Sequence, residues 1–374
     1  MDSKDIAEQV RMCSACPKMC RHVCPTFFAW RSDSPTPHGR ALLAHQEIAG
    51  IRDIDDRGVE VFYQCLECSH CLTLCLPEVD IATIVEEMRT FFVSEGRFPS
   101  GLTKIEESIK KNHNPFDEPH SERRSWLPSQ KSEGIPIIYF TGCTAAYREK
   151  QIAKDTVVLL SDLGYDVTVP QEEWCCGSPM LRTGFKDSGI EQAKHNLDIL
   201  NSIKGELIVA TCPGCYRVLT QDYPKHGLEL SKPVKHISEL LAERVDDLPQ
   251  NDNSDAVTYH DPCHLGRHCG IYEPPRNVLE HVSGKNFIEM ERNTDNAMCC
   301  GNGAGLRALF SDQAAAIGSE RIRHAKNVGA KQVVTSCPFC KNMLTSQAAS
   351  ELEVLDLPEY VMKVKKANMK RQNK

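Results

Sequence analysis

Ten cysteines in the second half of the chain form one five-cysteine pattern twice. The first copy consists of Cys143, the pair Cys175–Cys176 before a glycine, and Cys212-Pro-Gly-Cys215. The second consists of Cys263, the pair Cys299–Cys300 before a glycine, and Cys337-Pro-Phe-Cys340. The intervening lengths are 31 and 35 residues in the first copy and 35 and 36 in the second. Recurring sets of five thiols indicate metal sites, and because adjacent cysteines are poor tetrahedral zinc ligands, the pattern favours iron–sulfur chemistry.

Two local features of the pattern suit a cluster that is not a cube. An adjacent cysteine pair cannot share one cube corner without strain, but it can bridge and terminate iron in an opened cluster. Gly177 and Gly301 follow the pairs and permit backbone conformations that a side chain would obstruct. Each Cys-Pro-x-Cys follows a predicted strand and is expected to open a helix, where the amide dipoles favour anionic sulfur.

Eight further cysteines lie in two runs within the first 93 residues. The runs are Cys13-x2-Cys16-x3-Cys20-x3-Cys24-Pro and Cys65-x2-Cys68-x2-Cys71-x3-Cys75-Leu-Pro. The second run has bacterial ferredoxin spacing, in which the fourth cysteine of each run reaches the other 4Fe-4S cube. One cube is therefore expected on Cys13, Cys16, Cys20 and Cys75, and the other on Cys65, Cys68, Cys71 and Cys24.

The first of these runs departs from the standard spacing, with three residues between its second and third cysteines. It resembles the variant of helical ferredoxin modules in respiratory complexes, and the helix expected at 37–48 suits such a module. A pair of zinc knuckles is the alternative, since Cys-x2-Cys occurs in both classes.

The elements that must position the second-half cysteines follow an α/β order. Strands are predicted at 135–140, 166–169 and 207–210, and helices at 145–163, before Gly164, and at 238–244. The order then recurs at offsets of 120 to 125 residues: AVTYHDPC corresponds to IIYFTGC, NAMCCGNG to EWCCGSP, and KQVVTSCPFC to ELIVATCPGC. The repeat indicates two tandem copies of one unit, with a shared site at their interface.

We therefore predict an α/β fold in which an N-terminal helical two-cluster ferredoxin module precedes two tandem α/β CCG cysteine-rich repeats related by pseudo-symmetry. The expected boundaries are 1–93 for the module, 94–134 for a linker with one short helix, 135–250 for the first repeat and 251–374 for the second. The second repeat ends in a basic tail, with six Lys or Arg between Lys363 and Lys374. The tail is expected to be a solvated, frayed end, or else a contact for anionic lipid or an acidic partner.

Composition excludes several classes of protein. The chain has 374 residues, of which 41% are hydrophobic and 25% charged, as in an ordinary soluble protein. Its net charge of −7 argues against general nucleic-acid binding. No apolar stretch is long enough to cross a bilayer and the N-terminus does not resemble a signal peptide, so a cytoplasmic location is expected. Membrane attachment is expected only through a partner, at the cytoplasmic face. Because the cytoplasm is reducing, the 19 cysteines are expected to bind metal rather than form disulfides.

The CCG pattern resembles the cysteine-rich domain of heterodisulfide reductases and of related iron–sulfur subunits of glycolate, lactate and anaerobic glycerol-3-phosphate dehydrogenases. The resemblance covers residues 137–343, and the order of the whole chain is similar to that of the D-type subunit of heterodisulfide reductase. It implies one non-cubane 4Fe-4S cluster in each repeat. The implied ligands are Cys143, Cys175, Cys176, Cys212 and Cys215, and then Cys263, Cys299, Cys300, Cys337 and Cys340.

Both motifs are complete, which favours cleavage of a disulfide between two facing clusters. By resemblance the substrate is the heterodisulfide of coenzyme M and coenzyme B or a similar small disulfide. GNGAG (301–305) lacks the full dinucleotide fingerprint, so electrons are expected from a membrane b-type cytochrome or a flavin or iron–sulfur protein. The alternative is an electron-transfer subunit that links a flavin dehydrogenase to quinone or a membrane cytochrome.

Several residues beside the cysteines are candidates for further roles. Four arginines in pseudo-equivalent positions are predicted to bind anionic groups of the substrate, or else to cap helices and balance cluster charge: Arg148, Arg182, Arg267 and Arg307. One of three histidines is a candidate proton donor, with a structural hydrogen bond as the alternative: His260, His264 and His268. Cys269 has no counterpart in the first repeat and is expected to be a small buried residue, not a ligand.

Overall fold

The structure is a computed structural model that describes residues 3–129, 133–250 and 255–372. Its N-terminal part is helical, as predicted, and no strand lies among its described residues. The helices are α1 (Ser3–Ser14), α2 (Pro25–Trp30), α3 (Pro37–Ile48), α4 (Asp56–Tyr63) and α5 (Ile81–Ser94). Their apolar faces meet around Phe62 and Phe92, which are fully buried with ring centroids 5.3 Å apart. The first cysteine run begins in the last turn of α1 and ends at the N-cap of α2, and the second run lies in the connection from α4 to α5.

The segment 94–134 contains one α-helix, α6 (Thr103–Asn112), as predicted, and 3-10 turns at Ser100–Leu102 and His120–Arg124. Its side chains are packed into the protein, since Leu102 and Ile109 are fully buried. Residues 130–132 lie outside the described part, and the boundaries of this linker stay a prediction.

The first repeat contains a four-stranded parallel sheet in the order β2-β1-β3-β4. The strands are β1 (Ile135–Phe140), β2 (Tyr165–Thr168), β3 (Ile208–Ala210) and β4 (Val234–His236). The helices are α7 (Cys143–Tyr147), α8 (Lys150–Asp162), α9 (Ser178–Thr183), α10 (Lys186–Ser202), α11 (Pro213–Arg217), α12 (Tyr223–Lys225) and α13 (Ile237–Glu243). The prediction of one helix over 145–163 was wrong, because the chain leaves helical geometry between α7 and α8.

The second repeat contains a three-stranded parallel sheet in the order β5-β6-β7. Its strands are β5 (Val257–His260), β6 (Gln332–Thr335) and β7 (Glu353–Asp356). Its helices are α14 (Glu273–Ser283), α15 (Leu306–Leu309), α16 (Ser311–Asn327), α17 (Pro338–Ala348) and α18 (Leu357–Gln372). At the place of β2 there is a single parallel bridge between Val257 and Phe287, so the second copy is a reduced version of the first.

The two repeats share an apolar core, in which Leu160 of α8, Leu279 of α14 and Val361 of α18 belong to one cluster. The expectation of a frayed basic tail was wrong over its described part, because residues up to Gln372 form α18. Lys365 and Lys366 of this helix form ion pairs with Asp162 and Asp155 of the first repeat, at 2.8 and 3.1 Å. No helix in the described ranges has the length and apolarity needed to span a bilayer.

Candidate metal centres

The first five-cysteine set converges at the carboxyl ends of β1 and β3. Cys143 follows β1, and Cys212 follows β3 as the N-cap of α11. Side-chain hydrogen bonds link four pairs of these thiols: Cys143 with Cys175, Cys175 with Cys176, Cys176 with Cys215, and Cys212 with Cys215. All five sulfurs are therefore contiguous, as a shared metal cluster requires.

The second set converges in the same way beyond β5 and β6. Its contacting pairs are Cys263 with Cys299, Cys299 with Cys300, Cys300 with Cys340, and Cys337 with Cys340. Cys337 is the N-cap of α17, and its sulfur accepts a hydrogen bond from the Cys340 backbone N–H at 3.3 Å. Both Cys-Pro-x-Cys segments open helices, as predicted.

The glycines after the cysteine pairs have the predicted unusual backbone. Gly177 has φ +92° and Gly301 has φ +95°, in the left-handed region. A Cβ at Gly177 would lie 2.7 Å from the carbonyl oxygen of Gly189, and one at Gly301 would lie 2.5 Å from that of Ala314. Both positions therefore need glycine for conformation and for space.

The two repeats face each other through their cysteines. Hydrogen bonds from Cys215 and, across the repeats, from Cys337 lower the pKa of Cys212 well below its ordinary value. Cys337 is buried and Cys212 is half-buried. The expectation of a shared interface site thus corresponds to a direct contact between the two sets.

The eight N-terminal cysteines lie close enough to shift one another's pKa, and their division into two cluster sites stays a prediction. Burial, and then the thiols of Cys20, Cys16 and Cys75, raise the pKa of Cys13 to about 12. Burial, and then Cys68, Cys24 and Cys65, raise that of Cys71 well above its usual range. Thiolates packed so closely repel one another, so each group suits cationic iron rather than free thiols.

All 19 cysteines lie in the described residues and none forms a disulfide. Eighteen of these thiols belong to the predicted ligand sets, and Cys269 lies outside them. Cys269 is half-buried, not fully buried as expected, and Gln221 Nε2 lies 3.7 Å from its sulfur. Iron–sulfur clusters fit these residues, whereas tetrahedral zinc suits neither the five-cysteine groups nor the adjacent pairs.

A contact that no spacing predicts joins the N-terminal module to the second repeat. A hydrogen bond from Cys299 lowers the pKa of Cys68. Arg267 reinforces this contact, because its Nε donates to the Cys68 carbonyl at 2.6 Å and its Nη1 to that of Ala297 at 2.7 Å. One N-terminal cysteine group therefore lies directly against one CCG group.

The four predicted arginines have different partners, and their placement around a substrate cleft stays a prediction. Arg148 is exposed and pairs with Glu118. Arg182 is buried between Glu86 of α5 and Asp222. The Arg307 Nη1 donates to Asn342 at 2.7 Å, and Arg267 binds backbone carbonyls. For Arg182 and Arg267, these partners favour the alternative of a structural role over substrate binding. Substrate binding stays a prediction for all four arginines.

The histidines around Cys263 separate into two environments. His268 Nε2 lies 2.7 Å from the Glu67 carbonyl, which is the structural hydrogen bond given as the alternative. Burial lowers the pKa of His264 and His268 well below 6.5, which disfavours them as proton donors. His260 is fully buried and groups with Cys300 and Cys340, its ring nitrogen and their sulfurs lying within 4.8 Å of one another.

Sequence reasoning missed two buried ion pairs beside the cysteines. Arg123 pairs with Glu173 and has its Nη1 3.6 Å from the Cys143 sulfur. Arg89, with no exposed surface, pairs with Glu67 at 2.6 Å and donates to the carbonyl of Cys65 at 2.8 Å. Neither arginine belongs to a cysteine motif, so only the packing reveals it.

Comparison with known proteins matches the CCG cysteine-rich domain to residues 137–220 and 257–345. The D-type subunit of the dihydromethanophenazine:CoB–CoM heterodisulfide reductase of Methanosarcina acetivorans is 32% identical over 95% of this chain and 93% of its own. The protein of the same name from Methanosarcina barkeri is 33% identical over 96% of each chain. The EtfAB:quinone oxidoreductase of Syntrophomonas wolfei is 28% identical over 82% of this chain and 47% of its own.

Proposed function

This chain belongs to the family of D-type heterodisulfide reductase subunits, and we propose that it reduces a small-molecule disulfide with electrons from a partner protein. It is an iron–sulfur oxidoreductase component at the level of the family. The proposed reaction is RSSR′ + 2e⁻ + 2H⁺ → RSH + R′SH. The proposed substrate is the heterodisulfide of coenzyme M and coenzyme B or a disulfide of similar size, since the names of the relatives contain that pair.

The proposed cofactors are two cubane and two non-cubane 4Fe-4S clusters on the four cysteine groups. When bound, they supply one-electron carriers and, in the repeats, iron that can capture sulfur. The chain itself supplies the thiolates, the buried arginines that offset their charge and a packed interior around them. Eight of the ten CCG cysteines are buried, which keeps water from most of the site.

The contact between Cys212 and Cys337 is the observation that carries the proposal. It brings the two CCG groups together at the interface of the repeats, where one sulfur of a substrate could approach each group. The contact of Cys68 with Cys299 supports an electron path from the N-terminal module into this pair.

The test is an anaerobic titration of the reduced protein with the coenzyme M–coenzyme B heterodisulfide, with thiol release and EPR spectra followed together. We expect two thiols per disulfide and about sixteen iron atoms per chain, the sum for four 4Fe-4S clusters. The Cys337→Ser protein is the control and is expected to release no thiol above background. A reduced wild-type protein that releases no thiol and shows no substrate-dependent signal would refute the reductase function.

A second candidate is an electron-transfer subunit between a flavin protein and quinone or a membrane cytochrome. The similarity to an EtfAB:quinone oxidoreductase favours it. In that case the chain passes electrons to quinone with an electron-transferring flavoprotein as donor, and the heterodisulfide is not consumed. In both cases the donor or acceptor is a separate redox protein, and any attachment at the cytoplasmic membrane face is through that partner.

A further inference from the structure

His260 is a buried histidine whose contacts differ at its two ring nitrogens. It ends β5, three residues before Cys263. Its Nδ1 accepts a hydrogen bond from the Arg321 Nε at 3.0 Å. Its Nε2 has no hydrogen-bond partner, and a ring nitrogen lies within 4.8 Å of the Cys300 and Cys340 sulfurs.

The Arg321 contact decides which nitrogen carries the proton. A guanidinium group only donates, so the Nδ1 that faces it must be unprotonated. The neutral ring then carries its proton on Nε2, which makes Nε2–H a donor toward sulfur. Ligation of iron by Nε2 would need the proton on Nδ1, directly against the Arg321 N–H, and is therefore disfavoured.

The first repeat has no equivalent of this interaction. Phe140 occupies the matching position, at the end of β1 and three residues before Cys143. It belongs to the same buried apolar cluster as Cys176 and Cys215, the counterparts of Cys300 and Cys340. A phenyl ring therefore packs where the second repeat presents an N–H donor.

The charges behind the two positions also differ. Arg321 is buried with its Nε on His260 and its Nη1 on the Arg292 carbonyl at 2.7 Å. Burial lowers the pKa of Arg321 to about 10, so it stays charged at neutral pH. In the first repeat, by contrast, Arg123 beside Cys143 is paired with Glu173. The second repeat thus places the less compensated positive charge near its cysteines.

We propose that His260 donates an N–H···S hydrogen bond to Cys300 and, with Arg321 behind it, makes the second-repeat cluster the more easily reduced of the pair. The inference rests on the part of the proposed function in which the ten CCG cysteines hold two clusters. Donors and positive charge stabilise the sulfur-rich site after it gains an electron, when its negative charge is larger. In this step the second-repeat cluster gains one electron from the N-terminal module, which the partner protein has reduced. No bond is formed or broken.

The contact between Cys299 and Cys68 gives this asymmetry a direction. Cys299 of the second repeat hydrogen-bonds with Cys68 of the N-terminal module, so a higher potential in this repeat would draw electrons to the site at which they arrive. The cluster of the second repeat would then be reduced before the cluster of the first repeat.

The test is an anaerobic, EPR-monitored redox titration of the full chain with dithionite as reductant. In His260→Phe, which copies the first repeat, we expect one CCG midpoint potential to fall by about 59 mV, a tenfold lower ratio of reduced to oxidised cluster. His260→Gln keeps a donor N–H and is expected to retain most of the wild-type potential. Phe140→Leu, at the matching position, is the control and should leave the potentials of the second repeat and the cubes unchanged.

If the CCG midpoint potentials of His260→Phe are the same as those of the wild-type protein, and both proteins have full iron content, the inference is overturned and the proposed function stays intact. Loss of about four iron atoms in both His260→Phe and His260→Gln would also overturn it, because His260 would then be a ligand. If the iron content of the wild-type protein is enough only for the two cubane clusters, the proposed function itself is refuted.

Discussion

Cys212 and Cys337 contact each other although they belong to different repeats and are 125 positions apart in the sequence. Each is the N-cap of a helix that begins with the next residue, so two helix N-termini point at one place. The partial positive charge at such ends stabilises sulfur anions. In the proposed function, the disulfide would react at this interface between the repeats.

The first prediction concerns these two cysteines. Replacing Cys337 or Cys212 with serine should lower disulfide reduction at least about 100-fold, since each residue is a proposed ligand and a covalent thiolate is lost. Iron content should fall by up to about four atoms per chain. The measurements are anaerobic thiol release and iron analysis.

Cys269→Ser is the matched control for both variants, because Cys269 lies in the second repeat but outside the cysteine groups. It should keep full iron and activity. A Cys269→Ser protein as impaired as Cys337→Ser would show that cysteine loss anywhere disrupts the fold, and would remove support for the ligand assignment.

The second prediction concerns the buried arginine that joins α5 to the first repeat. Arg182→Gln leaves Asp222 buried without its strong partner, since the two side chains are only 3% and 5% exposed. Breaking a buried ion pair costs about 3–5 kcal/mol in unfolding free energy. The loss should appear as a lower Tm and denaturant midpoint.

Arg148→Gln tests the same chemistry at the surface. The Arg148–Glu118 pair is 39% and 35% exposed, and pairs of this kind contribute about 0–1 kcal/mol. An equal loss of stability in both variants would contradict the structural role of Arg182. If Arg148→Gln instead weakens heterodisulfide binding with unchanged stability, the substrate-binding prediction for Arg148 gains support.

The sequence predicts the elements that carry the cysteines because their signals are local. Cys143 follows a buried apolar run, and Cys212 precedes a proline that suits the first turn of a helix, so strand and helix ends could both be predicted. The positive φ of Gly177 follows from its residue type and its place after the pair. Each of these features depends on a few neighbouring residues.

The missed features depend on packing between distant segments. Arg123 lies in a polar connector, and its partner Glu173 is 50 positions away, so no local pattern marks the pair. The contact of Cys68 with Cys299 depends on how the module packs against the second repeat, and the same module is joined to the first repeat through Arg182. Arg148 and Arg267 hold similar positions in the repeat, yet one is exposed and one binds the docked module.

The third prediction separates backbone conformation from steric clash at the glycine after the second cysteine pair. Gly301→Ala places a methyl group 2.5 Å from the Ala314 carbonyl in a residue with φ +95°. The left-handed backbone costs about 1–2 kcal/mol for alanine, and relief of the overlap about 1–3 kcal/mol more. The purified variant should have a lower Tm and less iron.

Gly329→Ala provides the comparison, because Gly329 has φ +73° but nothing within 4 Å of an added Cβ. It should show the conformational cost alone and keep full iron. Equal losses of stability and iron at both positions would mean that close packing around Gly301 contributes nothing to the site.

The fourth prediction tests the exchange of the fourth cysteine between the N-terminal runs. Cys75 lies in the second run, yet its sulfur contributes to the raised pKa of Cys13 and Cys20 in the first. Cys75→Ser should therefore perturb one cube, lowering iron by up to about four atoms per chain and removing one cubane EPR signal. Electron transfer from an artificial donor to the CCG site should slow, while the CCG signals persist.

Leu76→Ser changes the neighbouring residue, whose side chain is 98% exposed, and should leave iron content and both cubane signals intact. If Cys75→Ser instead abolishes the cube assigned to Cys65, Cys68 and Cys71, each run holds its own cube and the exchange is wrong.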